Sequence, residues 1–310
     1  MKLNPKFSVT IPAFKTRFLR ECIDSILIQT FKNFEIIILN DCSPENVEEI
    51  ISLYDDKRIH YFKNERNVGA YNVVDNWNKC LDLCSGEFVI CMGDDDLLAQ
   101  DCLEQYCKLI DKYPLLDAYH GRTAIINEKG DYTYIVQDRA EYENIYSFIR
   151  HRLDGWGLFI GDFCYRTKAL KEAGGYYKQP LAWGSDDITA YMMIGEKGIA
   201  NTKDVVFKYR VSTQTISEDS NVEIKLMANI KTFEWIKTLV YKSTPPTLAD
   251  VLTREVILKE LPLRLKIWQE FALRHGIKKN KLKLFKYIVY RKKFKLSLDS
   301  LLIALYRSLK

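Results

Sequence analysis

The chain is short of the features that define several protein classes. Its 310 residues include only 14 glycines, 8 prolines and 4 histidines, which excludes collagen-like and linker-dominated sequences. No apolar run reaches the ~18 residues that a membrane-spanning helix needs. Residues 1–6 (MKLNPK) lack the apolar core and cleavage site of a signal peptide. We therefore expect a cytoplasmic protein, free or attached to the inner face of the cell membrane.

Cysteine is present but follows no metal or redox pattern. None of the eight cysteines forms a C-x-x-C pair, and most lie among apolar neighbours. The four histidines are scattered, so zinc-ligand spacing is missing as well. We expect reduced thiols that pack as small hydrophobic residues.

Charge is distributed unevenly along the chain. Residues 251–310 hold 16 of the 46 basic residues and 4 of the 41 acidic ones, a net charge of +12. The first 250 residues carry a net charge of −7. The sequence therefore predicts an acidic body with a basic C-terminal extension.

Strand and helix patterns alternate through the first 120 residues. Apolar runs predict strands over residues 7–11, 35–39, 59–62, 87–92 and 117–120. Helical spacing of apolar residues predicts helices over 18–29, 46–53, 70–83 and 99–112. The nearly continuous apolar run at 35–39 is typical of a parallel strand covered on both faces. This alternation predicts an α/β sheet with right-handed crossovers.

Polar residues follow the predicted strands at the edge where open α/β sheets bind ligands. They occupy positions 12–15, 40–43, 64–69 and 93–96. The glycine-rich loops of dehydrogenases (G-x-G-x-x-G) and of P-loop enzymes (G-x-x-x-x-G-K-[ST]) do not occur in the sequence. The sequence thus predicts a binding site without either of these nucleotide-binding motifs.

Three adjacent carboxylates, Asp94, Asp95 and Asp96, follow an apolar strand directly. Mutual repulsion and desolvation of the three groups favour a bound divalent cation, Mg²⁺ or Mn²⁺. Mg²⁺ is commonly held by one or two carboxylates together with water and phosphate oxygens. The alternative is a solvated acidic turn that caps the next helix. We favour the metal site.

Several segments, in their order and spacing, resemble family-2 glycosyltransferases with the GT-A fold: residues 7–12, 25–30, 35–43, 67–69, 85–89 and 94–98. The resemblance extends to about residue 217. It implies a Rossmann-like, mixed nucleotide-binding sheet flanked by helices. It divides the chain into a nucleotide-sugar-binding half (1–120), an acceptor half (121–217) and a helical basic extension (218–310).

The resemblance also implies a reaction. A hexosyl or N-acetylhexosaminyl group would move, with inversion, from a nucleotide sugar to a hydroxyl of a glycan or lipid-linked acceptor, as in bacterial polysaccharide synthesis. UDP is the favoured nucleotide, because Asp41 matches the aspartate that holds the base, and a carboxylate can accept the imide N–H of uracil. The other matched donor-binding positions are Pro12, Ala13, Phe14, Asn67, Gly69, Asp94, Asp95 and Arg210. Metal ligands are expected within Asp94–Asp96.

The register of the family's D-x-D motif stays open. Asp94 and Asp96 have the motif's spacing, whereas a gapless match to the longer D-x-D-D form places Gly93 at its first aspartate. Arg210 has an ordinary surface ion pair as its alternative role. Many relatives place a histidine two residues after this arginine, where Ser212 stands here.

The catalytic base and the acceptor contacts are expected in the second half. Asp186 matches the family's base, with Asp187 as the reserve. Both aspartates can also cap the helix predicted over 188–197. Trp156 and Trp183 would stack on acceptor sugars or, alternatively, pack in the core.

The basic extension predicts helices over 222–241 and 248–274, broken at Pro245-Pro246, and a further apolar stretch over 296–309. Residues 278–295 interleave nine Lys and Arg with aliphatic and aromatic residues, a pattern typical of a helix on an anionic membrane surface. The alternative is a helical appendage that packs on the body or on a partner chain. Nucleic acid is not expected as a partner, since no recognition motif accompanies the charge.

Two other functions remain open. A sugar-phosphate nucleotidyltransferase also binds nucleotide sugars, but its glycine-rich signature near the first strand is missing. A non-catalytic protein that binds a sugar or nucleotide on the same scaffold is the second. The acidic triplet and Asp186 favour the transferase over both.

Overall fold

The computed structural model describes residues 4–212, 221–279 and 283–308. Within them, strands join one sheet: β1 (Phe7–Ala13), β2 (Phe34–Asn40), β3 (Ile59–Lys63), β4 (Phe88–Cys91), β5 (Leu97–Leu98), β6 (Ala118–Ile126), β7 (Tyr132–Ile135), β8 (Tyr142–Glu143), β9 (Phe163–Arg166) and β10 (Ile199–Arg210). The α-helices are α1 (Leu19–Leu27), α2 (Val47–Ile51), α3 (Val73–Leu83), α4 (Cys102–Lys112), α5 (Ile145–Leu153), α6 (Thr167–Glu172), α7 (Ser185–Ile194), α8 (Val222–Lys242), α9 (Leu248–Lys279), α10 (Lys283–Val289) and α11 (Leu298–Ser308).

The sheet is mixed, as the family resemblance implies. Its order is β3-β2-β1-β4-β9-β6-β10-β5, with β7 paired to β6 and β8 to β10. The first four strands are parallel, which confirms the expectation from their helical crossovers. The short strand β9 then runs antiparallel to both β4 and β6. The parallel pattern of the first half therefore ends at β4.

The predicted elements are present, with shifted ends. The helix expected over 70–83 starts as a 3-10 turn at 70–72 before α3, and the one expected over 99–112 begins at Cys102. The strand expected at 117–120 continues to Ile126. Helix α5 and strands β7 and β8 had no sequence prediction.

Hydrophobic clusters cover both faces of the sheet. Along β2, Ile36 and Ile38 belong to one cluster, whereas Ile37 belongs to the other. All seven β2 residues are buried, as expected for a strand with two covered faces. Most of the cysteines are buried in these clusters as free thiols, in agreement with the prediction of small hydrophobic packing residues.

The long C-terminal helices pack onto the body. The cluster on one sheet face contains residues of α3, α5 and α7 together with residues of α8 and α9: Phe233, Ile236, Val240, Ile257 and Leu261. A third cluster joins the start of α8, the end of α9, α10 and α11. The break predicted at Pro245-Pro246 separates α8 from α9. The boundary expected at residue 217 and the basic residue Lys281 lie outside the described residues.

In the described parts of the chain, every helix is too short or too polar to cross a bilayer.

Candidate active site

A cavity of about 520 Å³ lies at the carboxyl ends of β1, β2 and β4, where open α/β sheets bind ligands. Its lining brings together eight residues predicted for the site: Pro12, Phe14, Asp41, Asn67, Gly69, Asp94, Asp95 and Asp96. It also includes Lys15, Trp77, Leu181, Ala182 and Tyr209, which sequence reasoning did not identify. Side chains from both halves of the chain therefore line one space.

Asp41 follows β2 and is held in a fixed orientation. Its Oδ1 accepts hydrogen bonds from Asn64 Nδ2 at 2.8 Å and from the Val68 N–H at 3.0 Å. Its Oδ2 accepts from Asn67 Nδ2 at 3.0 Å. Since a carboxylate has about four acceptor positions, Oδ2 can take one more donor. The chain thus presents an oriented, partly satisfied carboxylate to the cavity.

The acidic triplet turns directly after β4, and its first member is bound by backbone. Asp94 Oδ2 accepts hydrogen bonds from the Phe14 and Lys15 N–H groups at 2.8 and 2.7 Å. Asp96 Oδ1 accepts from the Arg210 N–H at 2.9 Å. Burial raises the pKa of the Asp94 carboxyl, and burial together with the neighbouring Asp95 raises the pKa of Asp96 well above its usual range. The triplet is a desolvated acidic group rather than a solvated turn.

Lys15 provides a positive charge at the triplet. Its Nζ lies 2.8 Å from Asp95 Oδ2 and 3.5 Å from Asp94 Oδ1. The pKa of Lys15 is raised: burial works against the ammonium, but the charges of Asp94 and Asp95 outweigh it. Sequence position offered one signal, since Lys15 is the first basic residue of the loop after β1.

The carboxylates of the triplet fit a divalent cation that also binds ligands from outside the protein. A Cβ on Gly93 would lie 2.8 Å from Asp96 Oδ2 and 3.1 Å from Asp95 Oδ1, so the bare glycine leaves room where these two oxygens converge. Within the described residues, no group of three His, Cys, Asp or Glu side chains is arranged as a complete metal site. One or two carboxylates, completed by water and phosphate oxygens, is the arrangement common for Mg²⁺.

Arg210 forms an ion pair, as its alternative role expects, but only its partner Glu21 is exposed and Arg210 itself is buried. Its side chain is 1% exposed, and its Nε donates to the Asp95 carbonyl at 2.8 Å. One terminal nitrogen pairs with Glu21 Oε2 at 2.7 Å, and the guanidinium lies 4.2 Å from the centre of the Phe18 ring. Arg210 does not line the cavity. The arginine positions the backbone of the triplet.

The two candidate bases differ in their surroundings. Helix α7 begins after Gly184, whose φ of 78° favours glycine. Asp187 is buried and pairs with Arg152, with Nε–Oδ1 and Nη2–Oδ2 distances of 2.5 and 3.2 Å. Asp186 is partly exposed, and its Oδ1 accepts the Asp187 N–H at 2.9 Å. Of the two carboxylates, Asp187 is committed to an ion pair and Asp186 is not.

The pKa of Asp186 is raised to about 7, first by desolvation and then by the Asp187 charge, while Arg152 opposes the shift. A carboxyl that titrates near neutral pH suits a general base. Asp186 and Asp187 do not line the cavity, but Leu181 and Ala182 of the preceding loop do.

Three remaining predicted residues lie outside the cavity lining. Ala13 is fully buried within β1. The Trp156 ring stacks on His151 with centroids 4.0 Å apart, and Trp183 Nε1 donates to Asn229 Oδ1 at 2.7 Å. Both tryptophans are partly exposed. These packing contacts are those expected if the tryptophans pack in the protein rather than bind sugar. Stacking on acceptor sugars stays a prediction.

Sequence comparison identifies the family. The model described as Glycosyl transferase family 2 matches residues 8–172, more than half of the chain. The chain belongs to this family, and thus to the glycosyltransferase class of enzymes.

Glycosyltransferases from several bacteria are similar to this chain over part of their length. Glycosyltransferase GlyA of Streptococcus pneumoniae is 30% identical over 194 residues, covering 59% of this chain and 24% of GlyA. A Campylobacter jejuni GalNAc(5)-diNAcBac-PP-undecaprenol beta-1,3-glucosyltransferase is 40% identical over 102 residues, 32% of each protein. Across these two and six similar glycosyltransferases, the chain covers between 20% and 54% of each relative's own length.

Solved structures confirm the predicted GT-A fold. S. aureus TarS in complex with UDP-GlcNAc has a TM-score of 0.59 at 16% identity, covering 97% of this chain and 89% of the TarS chain. Mannosyltransferase PcManGT from Pyrobaculum calidifontis, in complex with GDP-Man and Mn²⁺, has a TM-score of 0.55 at 18% identity, covering 99% and 88%. At these identities the likeness concerns the fold.

Proposed function

We propose that this protein transfers a hexosyl or N-acetylhexosaminyl group, with inversion, from a nucleotide sugar to an acceptor hydroxyl. The observation that carries the proposal is the shared cavity. Asp41, Asp95 and Ala182 line one space, so the oriented carboxylate, the acidic triplet and the loop leading to Asp186 open onto the same volume. An oxidoreductase or P-loop function has no comparable support, since its glycine motifs are missing.

The nucleoside is expected at the Asp41 side of the cavity. The free acceptor position of Asp41 Oδ2 matches the imide N–H of uracil, which favours UDP. Phe14, which is 41% exposed, lines the same cavity as Asp41 and can pack against the base. Guanine also presents a ring N–H donor, at N1, so GDP is the competing nucleotide to be tested.

In the proposed reaction, Asp186 accepts the proton of the acceptor hydroxyl while the hydroxyl oxygen forms a bond to the anomeric carbon. The bond from that carbon to the diphosphate oxygen breaks on the opposite face, and the nucleoside diphosphate leaves with the electron pair. One base suffices, and the anomeric centre is inverted. A divalent cation held by Asp95, with Asp94 or Asp96, would offset the negative charge of the leaving diphosphate.

The test measures release of nucleoside diphosphate from a panel of UDP- and GDP-sugars with Mn²⁺ or Mg²⁺. We expect Asp186→Asn to retain nucleotide binding while turnover falls by roughly 10²–10⁴, the usual contribution of general-base catalysis. Wild-type kcat/KM should fall about tenfold per pH unit below pH 7. Asp111→Asn is the matched control, because Asp111 is 75% exposed on its side chain.

Two results would contradict the proposal. Binding without turnover for every sugar nucleotide would favour the non-catalytic binding protein. Loss of turnover in Asp187→Asn, with full turnover in Asp186→Asn, would move the base by one residue.

We further propose that the C-terminal helices contact an anionic membrane surface, which would suit a lipid-linked acceptor in polysaccharide synthesis. Around the end of α10, the exposed residues Phe285, Val289 and Tyr290 adjoin exposed Lys292 and Lys293. Each basic residue near anionic lipid contributes about 1 kcal/mol. Other basic residues of the extension are paired with carboxylates, such as Lys295 with Glu234 and Lys266 with Asp299.

Sedimentation with phosphatidylserine-containing vesicles at low and high salt tests this contact. Truncation before α9 would remove Ile257 and Leu261 from the body cluster, so full-length point variants are preferable. We expect Lys292→Glu/Lys293→Glu and Phe285→Ser/Val289→Ser to weaken binding, and Lys168→Glu, on an 83% exposed side chain, to leave it unchanged. Equal sedimentation of all variants, or none at low salt, would refute membrane contact.

A further inference from the structure

We propose that Lys15 is an internal counter-cation that competes with a divalent metal ion for Asp95. Granted the proposed function, its ammonium group then moves to the donor diphosphate once the metal is bound. The ammonium and the triplet come from loops 80 residues apart, after β1 and after β4. Lys15 lines the same cavity as Asp95.

The contact is close and largely shielded from solvent. Lys15 Nζ lies 2.8 Å from Asp95 Oδ2 and 3.5 Å from Asp94 Oδ1. The exposed fractions of the side chains are 21% for Lys15, 6% for Asp94 and 11% for Asp95. Screening by solvent ions is weak at such a site. The ammonium therefore offsets a substantial part of the triplet's negative charge in the free protein.

Two carboxylate oxygens of the triplet, Asp95 Oδ1 and Asp96 Oδ2, converge beside Gly93, where a metal ion has room. Backbone N–H groups bind Asp94 Oδ2, and the Arg210 N–H binds Asp96 Oδ1. The Ser212 hydroxyl lies 3.4 Å from Asp95 Oδ2, the oxygen that Lys15 contacts. A metal ion bound at Asp95 Oδ1 and Asp96 Oδ2 would lie at about 2.1 Å from each ligand oxygen, on the same Asp95 carboxylate whose Oδ2 contacts Lys15. Two cations would then share a carboxylate, and their repulsion would disfavour simultaneous binding.

A displaced ammonium needs another anion. Lysine binds phosphate as a mobile point charge on a flexible stem, and the proposed diphosphate position adjoins the triplet in the cavity. Lys15 would thus oppose metal binding in the empty protein and favour the complete complex of metal and donor. Metal and nucleotide would consequently bind with positive coupling.

The first test compares the Mn²⁺ affinity of wild type with that of Lys15 variants, all free of nucleotide. Binding is measured from the electron paramagnetic resonance signal of free Mn²⁺. We expect Lys15→Met to bind Mn²⁺ at least tenfold more tightly than wild type, and Lys15→Gln to do the same. Lys15→Arg retains the charge and should bind as weakly as wild type. The control Lys168→Met changes an exposed lysine and should have no effect.

Asp95 must mediate the gain. In an Asp95→Asn background, Lys15→Met should no longer tighten Mn²⁺ binding. Circular dichroism melts establish that each variant is folded, and Lys15→Gln covers the case in which the methionine variant does not fold. Unchanged or weaker Mn²⁺ binding in the folded neutral variants would overturn the competition.

The second test titrates UDP and GDP in the presence of saturating Mn²⁺. We expect Lys15→Met to bind the nucleotide that wild type prefers at least fivefold more weakly. Equal nucleotide affinity, with tighter Mn²⁺ binding, would overturn the transfer of Lys15 to the diphosphate. If wild type binds neither nucleotide, the proposed function fails, whereas the Mn²⁺ comparison still decides the competition.

Discussion

Replacement of Asp186 by asparagine is expected to stabilise the folded protein at alkaline pH. The pKa of Asp186 is raised from an ordinary value of 3.8 to about 7 by desolvation and by the adjacent Asp187. Between these two values the folded state holds a proton that the unfolded state has released. The free energy of unfolding therefore decreases as pH rises through this window. Asparagine keeps the size and the acceptor oxygen but carries no charge.

The magnitude follows from the width of the window. One pKa unit corresponds to about 1.4 kcal/mol, so the full shift of about three units gives an upper limit of about 4 kcal/mol at pH 8. Between pH 5 and pH 8, only the part below the folded-state pKa of about 7 contributes, which is about two pH units. The gap in unfolding free energy between Asp186→Asn and wild type should then widen by about 2–3 kcal/mol.

Urea denaturation followed by tryptophan fluorescence at pH 5 and pH 8 measures this gap directly. Asp111→Asn provides the control, because its exposed carboxyl should show the same difference from wild type at both pH values. A gap for Asp186→Asn that stays constant between pH 5 and pH 8 would refute the assignment of a desolvated carboxylate. A gain in stability joined to a loss of turnover is the pattern expected when a group is held for function.

Three further substitutions test contacts on which the site depends. Arg152→Met leaves Asp187 buried without its partner, so denaturation should show a loss of about 3–5 kcal/mol in the free energy of unfolding; an unchanged stability would contradict the role of this ion pair. Arg210→Met removes the hydrogen bond from Nε to the Asp95 carbonyl and the ion pair with Glu21, which should cost about 2–3 kcal/mol, with weaker nucleotide binding by calorimetry; unchanged binding would contradict its positioning role. Gly86→Ala places a Cβ 2.6 Å from the Ser8 backbone nitrogen, so a lower Tm and a loss of about 1–3 kcal/mol or more are expected.

Local pattern was sufficient to predict the first half of the sheet. The run at residues 35–39 is apolar at its last four positions, 36–39, which alternate between the two faces of the strand, and β2 is buried on both faces. Because parallel strands end at a common edge, the polar residues after each strand were expected to meet, and Asp41 and Asp95 do line one cavity. The antiparallel insertion of β9 depends on pairing between distant segments, which no short pattern encodes.

Contacts between distant loops explain most of what sequence reasoning missed at the site. Lys15 contacts Asp95, which is 80 residues further along the chain, and Trp77 lines the cavity although the sequence predicted only that this segment is a helix. Arg210 was expected at the donor or on the surface, whereas its side chain is buried against the triplet backbone. In each case the sequence shows the type of residue, but the residues that it contacts depend on the tertiary fold.

The packing of α9 against the sheet has a consequence for how the protein is made. Ile257 and Leu261 complete a cluster that also contains Val74 and Trp77 on α3, and Trp77 is part of the cavity wall. During synthesis the sheet and α3 emerge from the ribosome long before these two residues. Until then the cluster on this face of the nascent sheet is incomplete, and it exposes apolar surface of the kind that recruits chaperones or aggregates. Translation past residue 261 is therefore the point at which the site can acquire its final shape.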